Sequence, residues 1–167
     1  LAHTAFQQAS TLQTPRGVPA GEYPVVLEPY AVLTLLEAMI ENGMGALAVQ
    51  EERSWMCGHL GQQSLSPHIS IVDDALAADG LPRAFDCEGW PKQRVEIVRA
   101  GVPLSPVYDR VTAAREPFKT STGHAQPYDD EDWDGPAPEN LIVTPGAHSV
   151  PELIASVERG LYINRFW

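Results

Sequence analysis

The stretch PVVLEPYAVLTLLEAMIENGMG, residues 24–45, decides how the chain folds. Val25, Val26 and Leu27 form a short apolar run with β-branched bias, the pattern of a strand covered on both faces. Glu28-Pro29 breaks it, because the residue before a proline is pushed out of the α region. From Tyr30 the period changes. Val32, Leu35, Leu36, Met39 and Ile40 make one helical stripe, with Thr34, Glu37 and Glu41 on the other side. Asn42-Gly43 supplies a left-handed stop.

Working outward, 167 residues with 44% hydrophobic and 20% charged residues describe one soluble globular domain. No apolar run approaches the ~20 residues a membrane span requires. The net charge of −11 and the lack of a basic cluster argue against nucleic acid and against an anionic membrane surface. Cys57 and Cys87 share no CxxC spacing, so a reduced cytoplasmic setting is expected. The chain starts at Leu1 and stops within an apolar run at Trp167, which reads as a fragment of a longer protein.

Upstream, residues 4–13 suit a short helix that Thr4 caps, ended by Pro15, and residues 14–22 a turn-rich linker. The expected organisation is an N-terminal helical segment, 1–16, followed by a domain from 17 to 167. Downstream, Gly43 to Gln50 suits a second short helix or a strand. Cys57 and His59 lie two apart, facing one way if the backbone is extended, but a zinc site needs two more ligands. Ile69 to Val72 is a clean strand. Asp73-Asp74 after it reads as turn chemistry, with a hard cation as the functional alternative.

Asp86 and Glu88 are likewise two apart, on a charge-lined strand ending at Gly89. Residues 93–99 alternate, Ala100-Gly101 turns, and 102–108 returns as an edge or irregular strand because of Pro103 and Pro106. Asp109 caps a short helix that Pro117 ends. In Ser121-Thr122-Gly123-His124, hydroxyls before a glycine make a loop whose backbone can approach a ligand closely. His124 is the strongest histidine for a functional role, with a structural imidazole bonded to backbone as the alternative. Ser121 with His124 is no triad without an orienting acid. Asp130, Asp132, Asp134 and Gly135 match half a calcium loop, but Leu141 stands where the bidentate glutamate belongs. Asn140 to Thr144 is a buried strand. Ser149 and Glu152 box the start of a helix that buries Val150, Leu153, Ile154 and Val157, ends near Arg159 and is closed by Gly160. Residues 161–167 form a last strand.

Several of these segments carry a family resemblance. Pro24-Val25-Val26-Leu27 with Leu35-Leu36, Val72-Asp73-Asp74, Phe85-Asp86-Cys87-Glu88-Gly89, Tyr108-Asp109-Arg110, Ser121 to Ala125, Pro145-Gly146 and Glu158 to Ile163 occur in the order of the TldD/PmbA (TldE) family. That family comprises cytoplasmic metallopeptidases also described as modulators of DNA gyrase. Catalytic members follow the leucine pair with HExxxH, two zinc-holding histidines and a water-activating glutamate. Aligned on PVVL and the leucine pair, those slots here are Glu37, Ala38 and Asn42, none of which can do that chemistry.

Helices and short strands that do not alternate regularly, with a hairpin in the middle, favour an α+β fold, a mostly antiparallel sheet with a few packed helices, over a doubly wound one; the resemblance implies that the domain is incomplete at its C-terminus. It implies a zinc-less, PmbA/TldE-like subunit of a cytoplasmic peptidase, with no catalytic residue or metal ligand of its own. Zinc is expected only in an HExxxH-bearing TldD-like partner, the alternative to which is a homodimer. Peptide is the expected substrate. Asp86, Glu88, Ser121, Thr122, Gly123 and His124 are candidate peptide-site or loop residues. Two other functions stand beside this one: an independent binding or scaffold protein on an inactivated peptidase fold, and a peptidase with a different metal held by Glu37 and Glu41.

Overall fold

The computed structural model describes residues 6, 9, 10, 13–78, 80–127 and 134–166. The helix expected over 4–13 and most of the acidic tract lie largely outside them.

The opening stretch folds as read. Strand β1, Val25–Leu27, leads into helix α1, Pro29–Glu41, with proline in the first turn where its missing N–H costs nothing. Gly43, at φ 109°, turns the chain out of the helix, and the Asn42 amide donates to Ala38 O at 2.7 Å. A second helix, α2, follows at Ala46–Gln50, its start held by Ala46 N–H donating to Val107 O. Helix α3, Arg110–Ala113, is capped by Asp109, which accepts the Thr112 N–H at 2.7 Å.

Four strands form one antiparallel sheet: β2 (Ile71–Asp73), β3 (Val95–Arg99), β4 (Val102–Pro103) and β5 (Leu141–Val143), in the order β4-β3-β2-β5. The two-residue β4 is an edge strand, as its Pro103 favours. The fold is α+β, with helices set against a mainly antiparallel sheet. The exception is a parallel pair in which β1 runs beside β6, Leu161–Ile163, with Val25 opposite Leu161. The core lies between the large sheet and the helices: Met44, Met56, Ile71, Val95, Ile97, Val98 and Val107, with Leu36, Met39 and Ile40 packed on it. Burying each such side chain contributes about 1.5–3 kcal/mol.

Four expectations are corrected. β1 is not covered on both faces, since Val25 is exposed and Val26 and Leu27 are only half-buried. β5 is an edge strand with Ile142 and Val143 exposed. Within α1, Leu35 is exposed and Ala31 buried, and the helix meets the core through Leu36, Met39 and Ile40. Helix α4, Val150–Ala155, stops well before Gly160, and its Val150, Leu153 and Ile154 are exposed. Its Ser149/Glu152 start is as read: Ser149 N–H and hydroxyl both donate to Glu152 Oε2 at 2.7 Å.

Candidate functional site

Two places carry the polar chemistry: the end of α1, and a buried network beneath the loop at 121–125.

At α1, Glu37, Ala38 and Asn42 are all exposed. Asn42 lies one residue past the end of α1, where its amide is engaged with Ala38 O. The donors left are the Glu37 and Glu41 carboxylates. Among the described residues, no three His, Cys, Asp or Glu side chains gather closely enough to hold a metal ion. The residues at these positions do not fit zinc, and no catalytic step through a metal follows from them. Cys57 and His59 do not share a strand face either: residues 55–61 are a run of turns, with Gly58 and Gly61 both at φ 74°. The Cys57 thiol instead reaches Val49 O at 3.6 Å.

The buried network centres on Asp73, the last residue of the interior strand β2 and 0% exposed. Its Oδ1 lies 3.1 Å from His124 Nε2, and its Oδ2 accepts the Glu139 and Asn140 N–H groups at 2.7 and 2.9 Å. Burial alone raises the Asp73 carboxyl. The hydrogen bonds from His124 and the two amides outweigh it and hold the group below its ordinary value. An ionised Asp73 places the His124 proton on Nε2. Nδ1, 2.9 Å from Thr122 Oγ1, then accepts from that hydroxyl, which in turn accepts the Tyr108 N–H at 2.7 Å.

The acid that orients His124 is therefore Asp73, 51 residues upstream, a pairing with no signature in local sequence. Thr122, His124 and Asp73 have the connectivity of a triad, but His124 and Asp73 are wholly buried and the hydroxyl is engaged with Tyr108. The arrangement is a brace. Asp73 and Asp74 also separate: Asp73 faces inward, while Asp74 lies 3.5 Å from the exposed Arg94 and accepts the Leu76 N–H.

Asp86 and Glu88 do not point the same way, because the chain turns at residues 87–88. Asp86 is buried, its Oδ1 accepting the Glu88 and Trp90 N–H groups and its Oδ2 the Ala125 N–H at 3.0 Å. It ties that turn to the 121–125 loop. Glu88 is exposed and accepts the first N–H of α3, from Arg110, at 3.0 Å. Ser121 donates to Tyr108 O and accepts the Gly123 N–H. Gly123, at φ 76°, leaves room for backbone rather than a ligand: a Cβ there would meet Pro91 O at 2.5 Å.

The last members were not anticipated. Lys92 is buried, with Nζ 2.7 Å from Glu139 Oε2, an ion pair without well-aligned hydrogen-bond geometry. Gln126 donates to Ala137 O and Glu139 Oε1. Together these contacts fix residues 121–127 against 134–140. The two segments form one wall of a cleft of about 320 Å³, and Ile40 and Glu41 from the end of α1 also line it.

The profile of the PmbA/TldA metallopeptidase C-terminal domain matches residues 20–167. The metalloprotease TldD homolog of Haemophilus influenzae is 28% identical over 99% of this chain and 34% of its own length. The crystal structure of a candidate modulator of a DNA gyrase from Thermotoga maritima superposes with a TM-score of 0.84 at 31% identity, over 95% of this chain and 36% of that one. TldE from Thermococcus kodakarensis shares the fold, with a TM-score of 0.73 at 22% identity, over 86% of this chain and 33% of its own. The chain spans about a third of the length of each.

Proposed function

This chain belongs to the PmbA/TldD family of metallopeptidase-like proteins, and on that footing we propose that it serves in the zinc-less subunit of a cytoplasmic peptidase complex acting on unfolded or small peptides. The observation that carries the proposal is the chemistry at the end of α1. Glu37, Ala38 and Asn42 offer one carboxylate, a methyl group and an amide already engaged with Ala38 O. None of the three is an imidazole that could grip an ion, and Ala38 has no group to take a proton from water. The helix and the strand that feeds it are nonetheless intact, and the cleft beside them is built.

In this role the subunit shapes a peptide-holding chamber, and an HExxxH-bearing partner supplies the metal and the hydrolysis. The open edges of the β1-β6 pair suit strand addition by an extended peptide. When the full-length protein is co-expressed with an HExxxH-bearing homologue from the same genome, the two should co-elute as one species on size exclusion. A stable complex of this chain with itself alone would count against the subunit reading and favour an independent binding protein.

A further inference from the structure

The cleft between α1 and residues 134–137 has a defined shape and a one-sided charge. Ile40, Ala48 and Pro136 give it an apolar lining, and Glu41, Asp134 and Arg53 are its exposed charged groups. Its wall is set by close packing. Gly45 lies so near Pro136 that a Cβ there would meet Pro136 O at 1.9 Å, and a Cβ on Gly135 would meet Leu47 Cβ at 2.5 Å. Residues 135 and 136 are therefore pressed onto α2, and the cavity beside them is preformed. At about 320 Å³ it sits at the small end of ligand-sized pockets, roughly 300–1,000 Å³, the right scale for one long side chain.

The charges are not balanced. Arg53 is neutralised by Glu51, with Nε 2.8 Å from Oε2. Among the described residues neither Glu41 nor Asp134 is in an ion pair. Two acidic residues thus line a partly apolar cleft in a chain of net charge −11. A lysine or arginine side chain complements both features: its methylene stem lies along apolar surface while its cationic head stays at the polar mouth. An acidic side chain would meet like charge.

We infer that this cleft receives a basic side chain of a bound peptide, with Glu41 and Asp134 selecting its charge. The inference rests on the peptide-handling role proposed above and adds to it a preference for lysine or arginine.

The test uses the full-length protein and three fluorescein-labelled peptides identical except for one central residue: lysine, leucine or glutamate. Fluorescence anisotropy should show the lysine peptide binding about three- to five-fold more tightly than the leucine peptide, the scale of a solvated charge pair, with the glutamate peptide weakest. The double variant Glu41→Gln, Asp134→Asn should remove that order, bringing the lysine, leucine and glutamate peptides to similar affinities. Both positions are exposed, and circular dichroism verifies that the variant folds. Equal binding of all three peptides by the unaltered protein would overturn charge selection and leave peptide handling standing. So would an order that survives the double variant. No binding of any peptide would overturn both.

Discussion

Replacing Asp73 with alanine is expected to cost about 3–5 kcal/mol of stability, because it strips the partner from a buried imidazole and two buried amides at once. That is a large share of the ~5–15 kcal/mol that holds a domain together. Three hydrogen bonds converge on this carboxylate, at 3.1, 2.7 and 2.9 Å. Asp73→Asn should cost distinctly less, about 1–2 kcal/mol. Its oxygen still accepts the Glu139 and Asn140 amides. Its NH2 then faces His124, which takes the other tautomer and donates from Nδ1 to Thr122, whose hydroxyl has Tyr108 O within 3.0 Å as an alternative acceptor. Asp74→Asn, at the neighbouring surface position, should change stability by under ~1 kcal/mol. Hydrogen exchange reads the effect locally: Asp73→Ala should lose protection at the Glu139 and Asn140 amides, and Asp74→Asn should not.

The same carboxylate gives a pH dependence of known sign. Asp73 is held below its ordinary value of 3.8 in the fold. The unfolded state therefore binds the proton more readily, and stability rises with pH across that interval. The Asp73 contribution is fully present above about pH 5 and is lost as pH falls below about 4 through the folded-state value. Acid unfolding of Asp73→Ala should lack this part of the slope.

Gly45→Ala is the second large effect. The added methyl would meet the Pro136 carbonyl at 1.9 Å, and the backbone of α2 or of residue 136 has to move. The expected loss is about 3 kcal/mol, at the upper end for overpacking. Gly146→Ala is the control. A Cβ there meets nothing within 4 Å, so a change within about 0.5 kcal/mol is expected. Urea unfolding followed by tryptophan fluorescence compares the two variants. Equal stabilities would mean that residues 134–137 do not press on α2, and the cleft would lose its fixed wall.

The parts of the fold legible in sequence are those decided within one turn or one strand. The shift from the 25–27 run to the helical stripe, the Asp109 cap and the Pro103 edge strand all depend on neighbours a few residues away. The α4 stripe misled because amphipathicity states what a helix face would bury, not whether another layer of this chain covers it. Val150, Leu153 and Ile154 stay exposed among the described residues. Asp86 and Glu88 misled for a different reason. The extended-strand reading ignored that an aspartate closes a turn on its own backbone, and that turn sends the two carboxylates apart. The Asp73–His124 and Lys92–Glu139 pairs were out of reach altogether, since long-range partners leave no spacing in one sequence. What was visible near them was a histidine after Thr-Gly and an aspartate at a strand end, each with an ordinary local explanation.

The claim on which the account turns is that the peptidase helix is retained without its ion. Metal analysis by plasma mass spectrometry tests it most directly, on the full-length protein purified alone, supplied with zinc and manganese and then desalted. The account predicts far less than one transition-metal ion per chain, with Glu37→Gln and Asn42→Ala variants no different. One tightly held zinc or manganese per chain, lost in either variant, would contradict it.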